Sequence, residues 1–233
     1  MPVFKIIGGH GRVALLLAKE LTKNPENSVI SLFRLPEQRT AVEASGAEAK
    51  LFNVEEASVS QFAEALSGAD FIIWAAGAGG KGGPQRTYNI DCDAAIRSMQ
   101  ASRQVVGLHR YVMVSYLGSS KAPQLSKDHP LYHYGQAKHQ ADEYLKNVVG
   151  LKYTIVSPGL LSNHEATGMI DVNEAAERHP QDQSLPHSIS RQNVALMIST
   201  LLTDTTAFAH TLYKEIEALD GRTPILEALR SLE

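Results

Sequence analysis

Val3-Phe4-Lys5-Ile6-Ile7-Gly8-Gly9-His10-Gly11-Arg12-Val13-Ala14 is the stretch that decides how this chain is read. Five mostly apolar residues make a short strand, Gly8 ends it, and Val13, Leu16, Leu17 and Leu21 then recur at helical spacing. A strand, a glycine turn and a helix in that order set free N–H groups and the positive end of a helix dipole at a strand end, where a pyrophosphate can be received. Gly8 permits the tight turn, Gly11 permits close approach of phosphate, and Ala14 is small enough for the helix to pack on the strand. The expectation is a dinucleotide site built on Gly8, His10, Gly11, Arg12 and Val13.

Outward from that turn the alternation repeats. Residues 29–33, 49–53, 70–75, 111–115 and 153–157 read as strands, and 37–45, 58–66, 88–103 and 131–149 as helices. Ser190 caps a helix over 191–202, a last strand falls at 212–216, and Pro224 opens a terminal helix. Strands alternating with helices of about ten residues require crossover connections and a parallel sheet covered on both faces. The predicted fold is α/β: a single-domain, Rossmann-type, doubly wound parallel sheet over 1–233. Three segments, 77–84, 117–129 and 159–186, read as substrate-side loops, the last a long excursion of weak periodicity.

Composition narrows the function classes. The chain has 233 residues, 43% hydrophobic and 20% charged, which suits an ordinary globular core. Lys plus Arg at 22 against Asp plus Glu at 25 gives a net charge of −3, so no general attraction to nucleic acid or anionic membrane is expected, and any anion site must be local. One cysteine, Cys92, cannot form an internal disulfide and reads as a small buried hydrophobe. No run approaches the roughly 18 apolar residues of a membrane span, and the start lacks a secretory pattern, so a cytoplasmic protein is expected, a monomer or weak homodimer with a small-molecule substrate.

Cofactor choice turns on the end of the second strand, where an acidic side chain favours NAD and a cation favours the 2′-phosphate of NADP. Here the strand ends Leu32-Phe33-Arg34. Arg34 and Arg12 offer permanently charged planar forks, so NADP is expected ahead of NAD. Asn53 and Val54 follow the third strand, where the amide can meet an adenine edge.

Tyr134 and Lys138 lie four apart on a predicted helix and share a face, a spacing that lets an ammonium lower a phenol pKa for proton transfer. The strand before that helix ends in Ser115, whose hydroxyl can orient a substrate carbonyl, with Ser119 and Ser120 as alternatives in the next loop. His129 and His133 are also four apart, but Pro130 disfavours helix at His129 and no Cys or carboxylate completes a site, so no metal is expected.

Gly8-x-x-Gly11-x-x-Ala14, Ala75-Ala76-Gly77 and Tyr134-Gly135-Gln136-Ala137-Lys138 resemble the short-chain dehydrogenase/reductase superfamily. More narrowly, Tyr153-Thr154-Ile155-Val156-Ser157-Pro158-Gly159-Leu160-Leu161-Ser162-Asn163 with Thr167-Gly168 is similar to a signature of its atypical NAD(P)H-binding group, which includes NmrA-like and flavin/biliverdin reductase B-like proteins. The resemblance implies that Ala75, Ala76 and Gly77 touch cofactor and that Lys138 holds the nicotinamide ribose. It also implies that Tyr134 donates a proton and that Pro158, Gly159 and Leu160 lie beside the nicotinamide. Asn53 stands where the group usually has Asp. Ser157 stands where it usually has Arg, which leaves the pocket less basic. The implied activity is reduction of a small carbonyl, quinone or flavin-like substrate; alternatives are an isomerase, epimerase or dehydratase that retains NADP, or a non-catalytic NADP sensor.

Overall fold

Burial of the first apolar strand organises the molecule. In the computed structural model, which describes residues 1–121, 125–174 and 188–232, β1 (Val3–Ile7) is flanked by β2 (Ser28–Phe33) and β4 (Phe71–Trp74), both parallel to it. α1 (Arg12–Leu21) follows the glycine turn. After β2 come a 3₁₀ turn at Pro36–Gln38, α2 (Arg39–Glu43), β3 (Glu48–Leu51) and α3 (Val59–Leu66), the last capped by Ser58. Beyond β4 the chain forms α4 (Gly83–Thr87), a π-helical stretch at Tyr88–Ala94, α5 (Ala95–Ser102), β5 (Arg110–Val114), α6 (Tyr132–Asn147) and β6 (Tyr153–Pro158). The remainder is β7 (Leu160–Ser162), β8 (Met169–Glu174), β9 (Ser188–Ser190), α7 (Arg191–Thr203), α8 (Thr205–His210), β10 (Glu215–Asp220), β11 (Thr223–Pro224) and α9 (Ile225–Arg230).

The main sheet runs β11-β8-β10-β6-β5-β4-β1-β2-β3, so the chain reverses its winding between β1 and β4, where ligands of such sheets bind. One apolar layer, with Leu17, Val194 and Ile198, joins α1, α7 and α9 to one face; another, with Phe62, Trp74, Met99 and Leu145, joins α3, α5 and α6 to the other. Two cations serve packing: Arg110 is fully buried, lies 4.1 Å from the Phe208 ring centroid and donates to Thr154 Oγ1 and the Phe208 carbonyl. Lys5 donates to the carbonyls of Ala65 and Ser67.

The sheet is parallel from β3 through β10, as read from the sequence, but β8 and β11 run antiparallel at one edge. This edge departs from the all-parallel expectation, and β8 comes from the segment read as an excursion. Ile170 is buried and Val172 packs on the core, a period of two that polar neighbours conceal in the sequence. The strand expected at 212–216 lies at 215–220, because Tyr213 takes a positive φ of 61° and buried Glu215 and Glu217 make the true strand read as polar. Pro224 caps α9 instead of occupying its first turn. Parts of the expected substrate-side loops, 122–124 and 175–186, lie outside the described residues. Among the described residues no helix is long and apolar enough to cross a membrane.

Candidate functional site

The glycine turn packs against the backbone that follows β4. Gly8 adopts φ +86°, and a Cβ there would come 2.5 Å from Ala76 Cα. Gly8 and Gly9 donate to the Leu32 carbonyl, locking the turn to β2, and Gly11 donates to the Gly8 carbonyl. Gly11 is the N-cap of α1 and has no side chain, so the first N–H groups of that helix lack a side-chain cap. A cavity of about 220 Å³ opens here, and Gly8, His10, Gly11, Ala75, Ala76 and Gly77 are all on its wall.

Phe33, Arg34, Gln38, Phe52 and Val54 form its far end. Gln38 Oε1 accepts from the backbone N–H groups of Arg34 and Leu35, which fixes the bend after β2. Lys81 enters from the segment 77–84 expected to serve substrate, and Arg86 from α4 just after it, so that segment lines this cavity as well. Arg86 donates to Glu55 Oε2 at 3.1 Å, and Arg34 lies 3.8 Å from the same oxygen. Three cations therefore face one cavity, with Glu55 between two of them. Arg86 and Lys81 escaped sequence reading, because no local motif ties a residue in the fourth crossover to the end of the second strand; Gln38, in the turn after that strand, was not read either.

Several residues expected to touch cofactor lie off this wall. Arg12 does not line this cavity: its guanidinium leaves the turn and donates to Asn163 Oδ1 at 3.2 Å. Val13 packs its side chain into the core. Asn53 spends its amide oxygen on the N–H of Glu55, an Asx turn that leaves Phe52 and Val54 as the lining. Pro158, Gly159 and Leu160 lie outside this wall; the Pro158 carbonyl accepts from Leu117, Gly159 donates to the Ala218 carbonyl, and Leu160 is exposed.

Beyond the β4 end, α6 presents one buried face. Tyr134, Lys138 and Asp142 follow one another at intervals of four on it, and Lys138 and Asp142 are buried. Ser115 Oγ donates to Asp142 Oδ2. Lys138 donates to the Val114 carbonyl at 2.8 Å and contacts Met113 Sδ at 3.4 Å. Asp91 reaches in from the π-helical stretch, which replaces part of the regular helix expected over 88–103, and accepts from the Ala78 N–H. Burial raises the pKa of both Asp91 and Asp142, with the Lys138 charge opposing.

Tyr134 differs electrostatically from its sequence expectation. Burial first, then the carboxyls of Asp91 and Asp142, push its phenol pKa up. Tyr134 therefore holds its proton through neutral pH, as suits a donor and not a base. Ser115 is committed to Asp142, and Ser119, the alternative hydroxyl, donates to Glu215 Oε1 at 3.0 Å. Neither Asp142 nor Asp91 was read from the sequence; the Tyr134–Lys138 spacing carried one step further reaches Asp142, and no such signal reaches Asp91. Cys92 is buried, its thiol pushed up to about 11 by that burial.

The NAD(P)H-binding family pattern matches residues 8–205, from the glycine turn into the start of α8. The chain belongs to that family. An uncharacterized sugar epimerase, YhfK, from Bacillus subtilis is 35% identical over 100% of both chains. Among solved structures, a putative NAD-dependent epimerase/dehydratase from Bacillus halodurans is 33% identical, with a TM-score of 0.84 and full coverage of both chains. The oxidoreductase ylbE from Lactococcus lactis is 30% identical, with a TM-score of 0.79, over 99% of this chain and 96% of the other.

The NAD(P)H-binding assignment agrees with the residues present. The uncapped start of α1, the side-chain-free Gly11 and the adjoining cations form a cradle for a phosphate-bearing dinucleotide. Phe33, Phe52 and Val54 give an apolar wall suited to a base.

Proposed function

We propose that this member of the NAD(P)H-binding family is an NADPH-dependent reductase of a small carbonyl, quinone or flavin-like compound. The observation that carries the reading is Tyr134, a phenol kept protonated beside buried Lys138 at the carboxyl edge of the sheet. Bound NADPH would supply hydride. Gly8, Gly11, Ala75, Ala76 and Gly77 would hold its diphosphate side, and Arg34 with Arg86 would meet the 2′-phosphate, which favours NADP over NAD. Tyr134 would deliver the proton to the substrate oxygen. Lys138, whose charge reaches both Asp91 and Asp142, would stabilise negative charge that develops on that oxygen. Ser115 would donate to the same oxygen whenever Asp142 carries its own proton and donates to Ser115 in return. A single buried cysteine supports a reducing, cytoplasmic setting.

A second reading, an epimerase that retains its nucleotide, is supported by the name of the Bacillus subtilis relative. The test is an acceptor panel of carbonyls, quinones and flavins with NADPH, followed by absorbance loss of the reduced nicotinamide. Sustained loss with at least one acceptor supports the reductase; turnover of a compound without net NADPH loss supports the epimerase.

A further inference from the structure

A second cavity, of about 350 Å³, lies between α1, the start of α7 and the segment after β7. Leu15 and Leu16 give it an apolar floor, and Ser162 adds a hydroxyl. Its charge is concentrated in two arginines from opposite walls: Arg12 donates to Asn163 Oδ1 at 3.2 Å and Arg191 to the same atom at 2.8 Å. Two guanidinium groups thus converge on one neutral oxygen. Like charges so placed repel, and burial together with the Arg12 charge lowers the pKa of Arg191. Glu165 is in the lining, yet no ion pair joins it to either arginine, and among the described residues neither arginine is paired with a carboxylate.

We propose that Arg12 and Arg191 bind a phosphate group of the substrate, making the substrate a small phosphorylated compound. Two planar forks approaching from different elements suit a tetrahedral, doubly charged oxyanion, whereas a planar carboxylate is satisfied by one fork. Asn163 holds both forks on one side and leaves their remaining N–H groups for the ligand. The cavity shares no wall residue with the one at the glycine turn. The inference deepens the proposed reaction but is measurable without cofactor.

Inorganic pyrophosphate is the probe, titrated by calorimetry into the protein alone and into protein saturated with NADPH. Binding is expected in both arms, weakened at least about tenfold by Arg191→Gln and less by Arg191→Lys. NADPH affinity is expected to change less than about twofold in Arg191→Gln, with an unchanged circular dichroism spectrum; should that variant misfold, Arg12→Gln takes its place with the same expectations. Absence of binding to the protein alone overturns the inference, as does binding indifferent to both substitutions. Displacement by NADPH, with matching loss of NADPH affinity in the variant, also overturns it, because the arginines would then serve the cofactor diphosphate. Failure of NADPH to bind would sink the reductase and leave the first arm standing.

Discussion

Ser115 and Asp142 are joined by a hydrogen bond from the serine Oγ to Asp142 Oδ2, between the residue that follows β5 and the third turn of α6. Asp142 has no exposed surface, and its second oxygen, Oδ1, finds no hydrogen-bond partner among the described residues. Burial outweighs what the Lys138 charge and the neighbouring serine hydroxyls return to a carboxylate in that position, while the neutral acid is far less costly to bury. The same burial that raises Asp142 holds the proton on Tyr134, one helical turn beyond Lys138.

Stability should therefore carry the mark of Asp142. A carboxyl whose folded pKa is raised contributes fully below its unfolded value, about 3.9, and that contribution is lost as pH rises through the folded value. Asn is neutral at every pH and keeps a hydrogen bond to Ser115. Asp142→Asn should be at least as stable as the parent at pH 7, with a smaller decline in unfolding free energy above pH 4. Urea unfolding from pH 4 to pH 8 checks this; parallel curves for the two proteins would refute it. Asp91, raised in the same direction, keeps the decline from vanishing.

The two glycines of the turn should separate by phenotype. Gly8 sits at φ +86° with Ala76 backbone where a Cβ would go, so Gly8→Ala should cost several kcal/mol of stability, on the order of 2–4. Gly11 has φ −61°, and the nearest atom to a Cβ there is the Gly8 carbonyl oxygen at 3.2 Å. Gly11→Val should fold with a nearly unchanged circular dichroism spectrum and lose NADPH binding, because its side chain would occupy the cradle. Normal affinity in folded Gly11→Val would make this glycine a packing feature.

The βα alternation was legible because its strands are short apolar runs and its helices keep their stripe: residues 3–7 and 12–21 read alike in sequence and structure. Reading failed where tertiary contacts overrode pattern. Glu215 and Glu217 sit buried in a strand, Glu215 because Ser119 and Ser157 hydrogen-bond its carboxylate, and no local rule foresees that pairing. Arg34 reached the cavity as expected, since strand order fixes it, whereas Arg12, one residue past the turn, went to Asn163 across 151 positions of chain. A side chain's direction at a helix start depends on its distant neighbours, and these come from the segment with the weakest periodicity.

Nucleotide preference should follow the cations of the first cavity. Each charge-assisted contact to a phosphate contributes about 1.5–3 kcal/mol, so Arg34→Ala should weaken NADPH binding by about 10- to 100-fold and leave NADH binding nearly unchanged. Glu55 draws on Arg86 and Arg34 through one oxygen, so Glu55→Gln should shift preference further toward NADPH. Titrating both nucleotides against the three proteins decides it, and equal losses for NADPH and NADH in Arg34→Ala would remove the 2′-phosphate assignment.

Proton delivery is the most exposed part of the proposed chemistry. Tyr134 stacks obliquely on Tyr116, with ring centroids 5.4 Å apart, and its phenol is raised by burial and by Asp91 and Asp142. A phenol so placed remains a donor above the ordinary value of about 10, so the rate of reduction should show no loss from its ionisation up to at least pH 9. Tyr134→Phe removes only the hydroxyl and keeps the ring packing; kcat should fall by about 10²–10⁴ while NADPH affinity stays within about twofold. Lys138→Ala should lower both kcat and NADPH affinity, and also stability, because the Val114 carbonyl loses its donor. A structural tyrosine would give the opposite pattern, reduced stability with full turnover of the folded fraction. Single-turnover kinetics of the two variants, on the acceptor found with the parent enzyme, separates these cases, and full activity in folded Tyr134→Phe would move the proton to Ser115 or to water.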